Sequence, residues 1–390
     1  MREAASILAA RRERLVGLLT RRALLGLFAL ATLATVSVSC AWWSLAAAAD
    51  AAFAREPFPF LVFLAVGCLM TSLGLRLLVA LSTAGAMPQG VRLPAFAAGA
   101  LHDQIAAMSA RFGGVRIDSV WITADMNAAV LQRPRWGLAG SMQTHLLIGL
   151  PLTHSVSPRQ LSAVLAHEFG HLTVQRIGGA AWARHLFAWW FRVSDALAEQ
   201  WPCCAALIDR WTLPEVHWAV ELSHVDEFEA DAEAARMVGA KTVADALVEL
   251  ALKERFLCQD YWCKVLQQSE VRSKPLIRPY RDMALGMATG FKAPASASLV
   301  MSCLCDASAD DGGRMHPTVR ERLEALGMPG ECLSMPRGAE ETAASRLLKP
   351  LLPSLSLAFD QAWWLGTRET WMRSHRRALM RQRAGIPLVP

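Results

Sequence analysis

The hydrophobic pattern of the chain changes character twice. From Ala23 to Ala49 there are 27 residues without a charge, more than the roughly 20 a helix needs to cross the hydrocarbon core of a bilayer. A second uncharged run extends from Pro57 to Leu75 and resumes after Arg76 through Leu81. Arg76 lies near that end, where its long stem reaches the headgroups. These runs predict a transmembrane hairpin over 23–82, with spans at about 23–49 and 57–81 and a short loop from Asp50 to Glu56. Residues 1–22 read as a basic cytoplasmic segment, an amphipathic helix that sets Ile7, Leu8, Leu15, Leu18 and Leu19 against arginines. Six arginines precede the first span and only Arg55 lies in the loop. The positive-inside rule therefore puts the N-terminus, and everything after residue 82, on the cytoplasmic side. A cleaved signal sequence is the competing reading, but the uncharged run exceeds a signal core and a second span follows at once.

Beyond the hairpin the pattern becomes that of a globular domain over 90–335. Thr144 to Gly149 reads as a strand able to pair with an extended substrate. Ser157 then caps a helix with Pro158 in its first turn and Gln160 at the capping-box position, and Leu161, Val164, Leu165 and Phe169 form its apolar stripe. The Gly178-Gly179 pair ends that helix or its extension. Residues 178–220 are apolar and rich in Trp, but Arg184, Arg192, Asp195, Glu199, Asp209 and Arg210 interrupt them, so they do not span. Three placements are open for this stretch: on the bilayer, over a cleft, or packed against the rest of the chain. A further helical pattern opens at Glu227 and stops at Gly239. Residues 243–290 begin helical and are broken by Pro275 and Pro279, Ser296 to Gly313 read as a loop, and Leu365 to Arg383 as a basic helix within a C-terminal extension, 336–390. The fold class is mainly α with a small β-sheet, preceded by a two-helix transmembrane hairpin.

Composition agrees with a membrane protein. Hydrophobic residues make up 53% and charged residues 19%, where soluble proteins carry about a quarter charged. The net charge of +6 collects at the two ends of the chain, which favours anionic lipid over nucleic acid as a partner. The nine cysteines show no CxxC pair and read as reduced, mostly buried thiols. One intervening residue makes Cys303 and Cys305 a poor pair of ligands for one ion.

The chemistry concentrates in His167-Glu168-Phe169-Gly170-His171. Two histidines four apart share a helix face and reach one tetrahedral ion, with Glu168 beside the open coordination position. A catalytic zinc needs a third ligand. Glu227 and Asp231 also lie four apart on one face, so one binds the ion while the other accepts the second N–H of a ligating histidine.

HExxH followed by Glu227-Phe228-Glu229-Ala230-Asp231 resembles the membrane-associated zinc metallopeptidases that include HtpX and the type I CAAX prenyl proteases. The stretch from Asn127 through Leu152 resembles the strands before that family's metal helix, and His316-Pro317 with Arg322 resembles its HP-x(4)-R element; the likeness covers about residues 90–330. It implies a zincin-like α+β domain and a zinc metalloendopeptidase with one Zn2+ per chain. The ion would be held by His167, His171 and Glu227, with Glu168 as general base and Asp231 behind the ligands. His316 and Arg322 would be further catalytic groups, although His316 also fits a helix start with Pro317 in the first turn. The chain departs from HtpX-type relatives in having no further spans between the two zinc motifs. The expected partners are protein or peptide substrates and the bilayer, and the expected location is a bacterial inner membrane with the catalytic domain cytoplasmic. The other class in view is a non-catalytic membrane adaptor or chaperone that keeps the fold.

Overall fold

The structure, a computed structural model, describes residues 2–82, 87–136, 139–176, 180–290, 316–328 and 341–383. In chain order its helices are α1 (Arg2–Phe53), α2 (Pro57–Leu81), α3 (Gly99–Arg111), α4 (Leu150–Ser155), α5 (Pro158–Arg176), α6 (Ala180–Gln200), α7 (Pro202–Val238) and α8 (Ala240–Phe256). After a π-helical turn over Leu257–Tyr261 come α9 (Trp262–Val271), α10 (Met283–Gly290), α11 (Val319–Ala325), α12 (Ala343–Leu347) and α13 (Leu352–Arg383). The strands are β1 (Val91–Leu93), β2 (Ser119–Thr123), β3 (Ala128–Trp136) and β4 (Ala139–Gly149). Two compact units result: Met1–Met87 with Gln132–Gln143 and Gln175–Val225, and Pro88–Leu131 with Thr144–Val174 and Asp226–Pro390.

In the first unit the basic N-terminal segment and the first apolar run are one helix, α1, and not two elements. No proline interrupts it, and the cost of Gly17 and Gly26, about 1 kcal/mol each relative to Ala, is too small to break it. The helix also runs past Ala49 to Phe53, so the connection to α2 is the turn at Ala54 to Glu56. Small residues form the seam between α1 and α2. Ala34, Ala41 and Ala48, spaced by seven, are buried. A Cβ at Gly67 would meet the Leu45 side chain at 2.7 Å, and one at Gly74 would meet Val38 at 3.1 Å. Such seams let apolar helices pack by close contact where lipid offers no hydrophobic drive. Both helices are long and apolar enough to cross a membrane. Their outer faces leave Phe28, Trp42, Trp43, Leu61 and Leu69 exposed at 61–77%, which suits lipid and not water.

Helix α6 packs on this pair. Trp189 and Trp190 are buried in a cluster with Ala23, Leu27, Leu77 and Ala80, and the Trp190 ring lies so close to α1 that a Cβ at Gly26 would meet it at 2.2 Å. Trp190 Nε1 donates to Glu215 of α7 at 2.6 Å, and Arg22 Nε reaches the other oxygen of that carboxylate at 3.0 Å. The Arg22 guanidinium also lies 4.2 Å over the Trp211 ring. Of the tryptophans in 178–220, Trp189 and Trp190 are core, whereas Trp182 and Trp211 face outward.

The second unit holds a mixed sheet in the order β1-β2-β4-β3. Strand β1 is antiparallel to β2 with Val91 opposite Ile122, and β2 is parallel to β4 with Val120 opposite Leu146. Because β4 lies between β2 and β3, its hydrogen-bonding edges are taken. It does not serve as the substrate-pairing strand its sequence predicts; the edge strand beside it is β3. Ile122, Leu146 and Ile148 join Leu101 and Ile105 of α3 and Leu161, Leu165 and Phe169 of α5 in one core. Each fully buried side chain of this size contributes about 1.5–3 kcal/mol.

Local chemistry fixes where α5 starts. Ser157 Oγ accepts from Gln160 N at 3.3 Å, and Gln160 Oε1 accepts from Ser157 N at 2.9 Å, the reciprocal capping box the sequence predicts. The junction with α4 is tied from both sides. Ala343 N of α12 donates to Val156 O at 2.8 Å, and buried Lys253 of α8, paired with buried Glu249, donates to Ser155 O.

Further expectations need correction or fall outside the described residues. Helix α7 does not open at Glu227: it begins at Pro202, tolerates Pro214 and ends at Val238, where Gly239 has φ of 90°. The free cysteines Cys40, Cys68, Cys203, Cys258 and Cys263 are exposed, not buried, because each lies on an outward helix face. Gly178-Gly179, the Ser296 to Gly313 loop, Cys303 and Cys305 lie outside the described residues.

Candidate metal centre

Helices α5 and α7 bring the sequence-predicted residues together. His167 and His171, one turn apart on α5, point their Nε2 atoms at each other, 3.1 Å apart. The Glu227 carboxylate of α7 completes the group, with Oε2 3.3 Å from His167 Nε2 and Oε1 3.5 Å from His171 Nε2. An ion with tetrahedral bonds of about 2.0–2.1 Å holds its ligand atoms about 3.3 Å apart. The separations lie near that edge length, each imidazole facing one oxygen of the carboxylate, so the donor set fits a zinc-sized ion. A second observation agrees: the buried Oε2 of Glu227 makes no hydrogen bond, although Nη1 of Arg322 lies 3.2 Å away.

Gly170 makes this approach possible. A Cβ there would meet the Ala230 carbonyl oxygen at 3.0 Å and its Cα at 3.1 Å, so the glycine serves the contact between α5 and the backbone of α7. It faces that helix and not open space.

Behind the ligands lies a layer of opposite charge. Asp231, one turn after Glu227 on α7, accepts from His167 Nδ1 at 2.9 Å, which fixes the ring so that Nε2 faces the centre. Arg322 of α11 forks onto Asp231, with Nε to Oδ2 and Nη2 to Oδ1 both at 2.7 Å. The fork is thus occupied behind the site. Thr318 and Glu321 close a capping box at the start of α11 and set its register. Thr318 is therefore the N-cap, and Pro317 precedes the cap instead of occupying the first turn. His316 is exposed and places Nδ1 3.0 Å from Glu227 Oε1.

Charge coupling follows the geometry. Burial alone would raise the carboxyl of Glu227, but the imidazoles of His167, His171 and His316 beside it hold it well below the usual carboxylate range. Asp231 is likewise held low, against burial, by Arg322 and His167. Glu168 goes the other way. Burial pushes its carboxyl up and Glu227 adds to the rise, while His167, His171 and the N–H of Val130 oppose it. A carboxylate raised in this way suits proton transfer near neutral pH. The contact with Val130 on β3 had no signal in the sequence, because a bond from a strand to a helix nearly forty positions later leaves no local pattern.

Residues 139–329 match the model of Peptidase family M48, a span that takes in His167, Glu168, His171, Glu227, Asp231, His316 and Arg322. The match supports a metallopeptidase. No curated protein and no solved structure matches the chain.

To offer Nε2 to a metal, His167 must lose a proton. Burial disfavours its charged form, yet the carboxylates of Asp231 and Glu227 outweigh burial and hold its pKa up to about 9. A raised pKa means that protonated His167 stabilises the metal-free fold below the unfolded value of about 6.5, and that this contribution is lost as pH rises through about 9. Metal uptake near neutral pH therefore expels one proton. The apparent zinc affinity of metal-stripped protein should rise about tenfold per unit between pH 7 and 8.5. Competition titration with a chromophoric chelator reads this slope, and a pH-independent affinity would contradict it.

Proposed function

We propose that the chain is a membrane-anchored, zinc-dependent endopeptidase that cleaves membrane or membrane-proximal proteins. The observation that carries this reading is the meeting of His167 Nε2, His171 Nε2 and the two carboxylate oxygens of Glu227 at 3.1–3.5 Å, beside the buried carboxyl of Glu168. His167, His171 and Glu227 hold one zinc, within a zincin-like domain over 90–335. The ion supplies Lewis acidity, polarising the scissile carbonyl and bringing water to ionisation near neutral pH.

The chain's own groups do the rest. Glu168 accepts the proton of the attacking water and passes it to the leaving amine; such transfer contributes about 10²–10⁴ in rate. Asp231 keeps His167 oriented, and Arg322 balances the two carboxylates of α7. His316, exposed and protonated more readily because of its bond to Glu227, donates to the carbonyl oxygen as charge develops there. The edge strand β3 offers Ala128 to Leu131 for pairing with an extended peptide.

HExxH, EFxAD and HP-x(4)-R together favour an HtpX-like peptidase. Prenylated CAAX substrates fit poorly, since residues 178–220 carry no further spans. Helices α1 and α2 anchor the chain in a bacterial inner membrane, with residues 336–390 as a basic extension on the cytoplasmic side.

A Glu168→Gln variant should keep one zinc per chain and lose casein hydrolysis by at least about a hundredfold; full activity would remove Glu168 from the reaction. A reporter fused after Gly90 should register as cytoplasmic, and an external signal would overturn the orientation.

A further inference from the structure

A second cluster, away from the metal centre and wholly within the first unit, has donors without acceptors. His185, Trp189 and Arg192 share one face of α6, spaced by four and three residues. Arg133, on β3, lies near Arg192. Five of their nitrogens are buried with no hydrogen-bond partner among the described residues: Arg133 Nε and Nη1, His185 Nε2, Trp189 Nε1 and Arg192 Nε.

Like charges collect here. Burial and then Arg133 push the Arg192 guanidinium down, and burial and then Arg192 push the His185 imidazole down. The groups are thus near enough to repel one another, and among the described residues neither arginine has an ion pair. Nor do the strands and helix that carry these groups put a buried counter-charge among them. No Asp or Glu occurs between Asp125 and Glu168, so β3 and β4 carry none, and Asp195 and Glu199 of α6 are exposed.

Both guanidiniums are half-buried, and each buried nitrogen without an acceptor leaves its desolvation uncompensated, while two cations side by side add repulsion. A bound anion removes both costs by accepting from several N–H donors at once through charge-assisted bonds. Because α6 packs against α1 and α2, whose outer faces suit lipid, the anion nearest to hand is a lipid headgroup.

We propose that Arg133, His185 and Arg192 form a binding site for the phosphate of an acidic phospholipid headgroup. The inference depends on the membrane reading of α1 and α2 and not on the peptidase reading, so loss of catalysis leaves it untouched.

The test uses the full chain in neutral detergent, titrated with short-chain phosphatidylglycerol, phosphatidylcholine or inorganic phosphate. Thermal unfolding and native mass spectrometry are the readouts. Phosphatidylglycerol should bind saturably at one per chain and raise the unfolding midpoint by several degrees. The Arg133→Gln/Arg192→Gln variant should lose at least tenfold in that affinity, while without lipid it unfolds no earlier than wild type, because two half-buried cations that repel one another are gone. An Arg373→Gln/Arg377→Gln variant on α13 should bind as wild type does. If inorganic phosphate or phosphatidylcholine stabilises as well as phosphatidylglycerol, the acidic headgroup assignment is overturned. Absence of saturable binding by wild type overturns the site itself, whether or not the double variant folds, as does equal binding by that variant or loss of binding in the α13 variant.

Discussion

The close approach of α5 to α7 is the constraint on which the metal centre depends. Two imidazoles on adjacent turns of one helix define only one edge of a coordination polyhedron, and a single helix face offers no third ligand at the right distance. The carboxylate has to come from another helix lying almost in backbone contact, which Gly170 against the backbone of Ala230 permits. Once that contact exists, Glu227 and Asp231, one turn apart on α7, reach different atoms of the site. Glu227 faces the Nε2 side of His167 and Asp231 faces its Nδ1 side. One helical turn thus supplies both a ligand and the group that orients another ligand.

This arrangement concentrates negative charge, and the surrounding structure answers it. Arg322 lies between the two carboxylates, forked onto Asp231 and with Nη1 3.2 Å from Glu227 Oε2, and its helix is held by its own capping box. Buried ion pairs gain little net stability, but removing one partner is costly, so the arginine fixes a geometry more than it strengthens the fold. Glu168 differs from its acidic neighbours because no cation forks onto it. Burial therefore dominates, and its carboxyl rises where theirs fall. Two environments within one site thereby separate carboxylates suited to ligation from one suited to carrying a proton.

What could be read from the sequence was what short-range chemistry determines. The capping box at Ser157 and Gln160, the pairing of His167 with His171 and the shared face of Glu227 and Asp231 all follow from spacing along one helix. The two apolar helices follow from uncharged length alone. Features set by distant segments could not be read. The interior position of β4 depends on β3 folding back beside it, and the bond from Val130 to Glu168 depends on the same pairing. Helices α1 and α7 run past the changes of charge along them, because nothing in the backbone breaks either helix at those points. Cys40 and Cys68 were expected inside because thiols are usually buried, whereas on these helices the outward face is itself apolar. The cationic cluster of α6 and β3 joins segments about fifty residues apart and had no motif to announce it.

The most direct test of the central claim is zinc K-edge X-ray absorption on the purified full-length protein. Two imidazole nitrogens and one carboxylate oxygen at about 2.0–2.2 Å, with a light-atom fourth position, are predicted at one zinc per chain, and a Glu227→Ala variant should lose the carboxylate shell. A first shell containing sulfur, or one unchanged in that variant, would contradict the account.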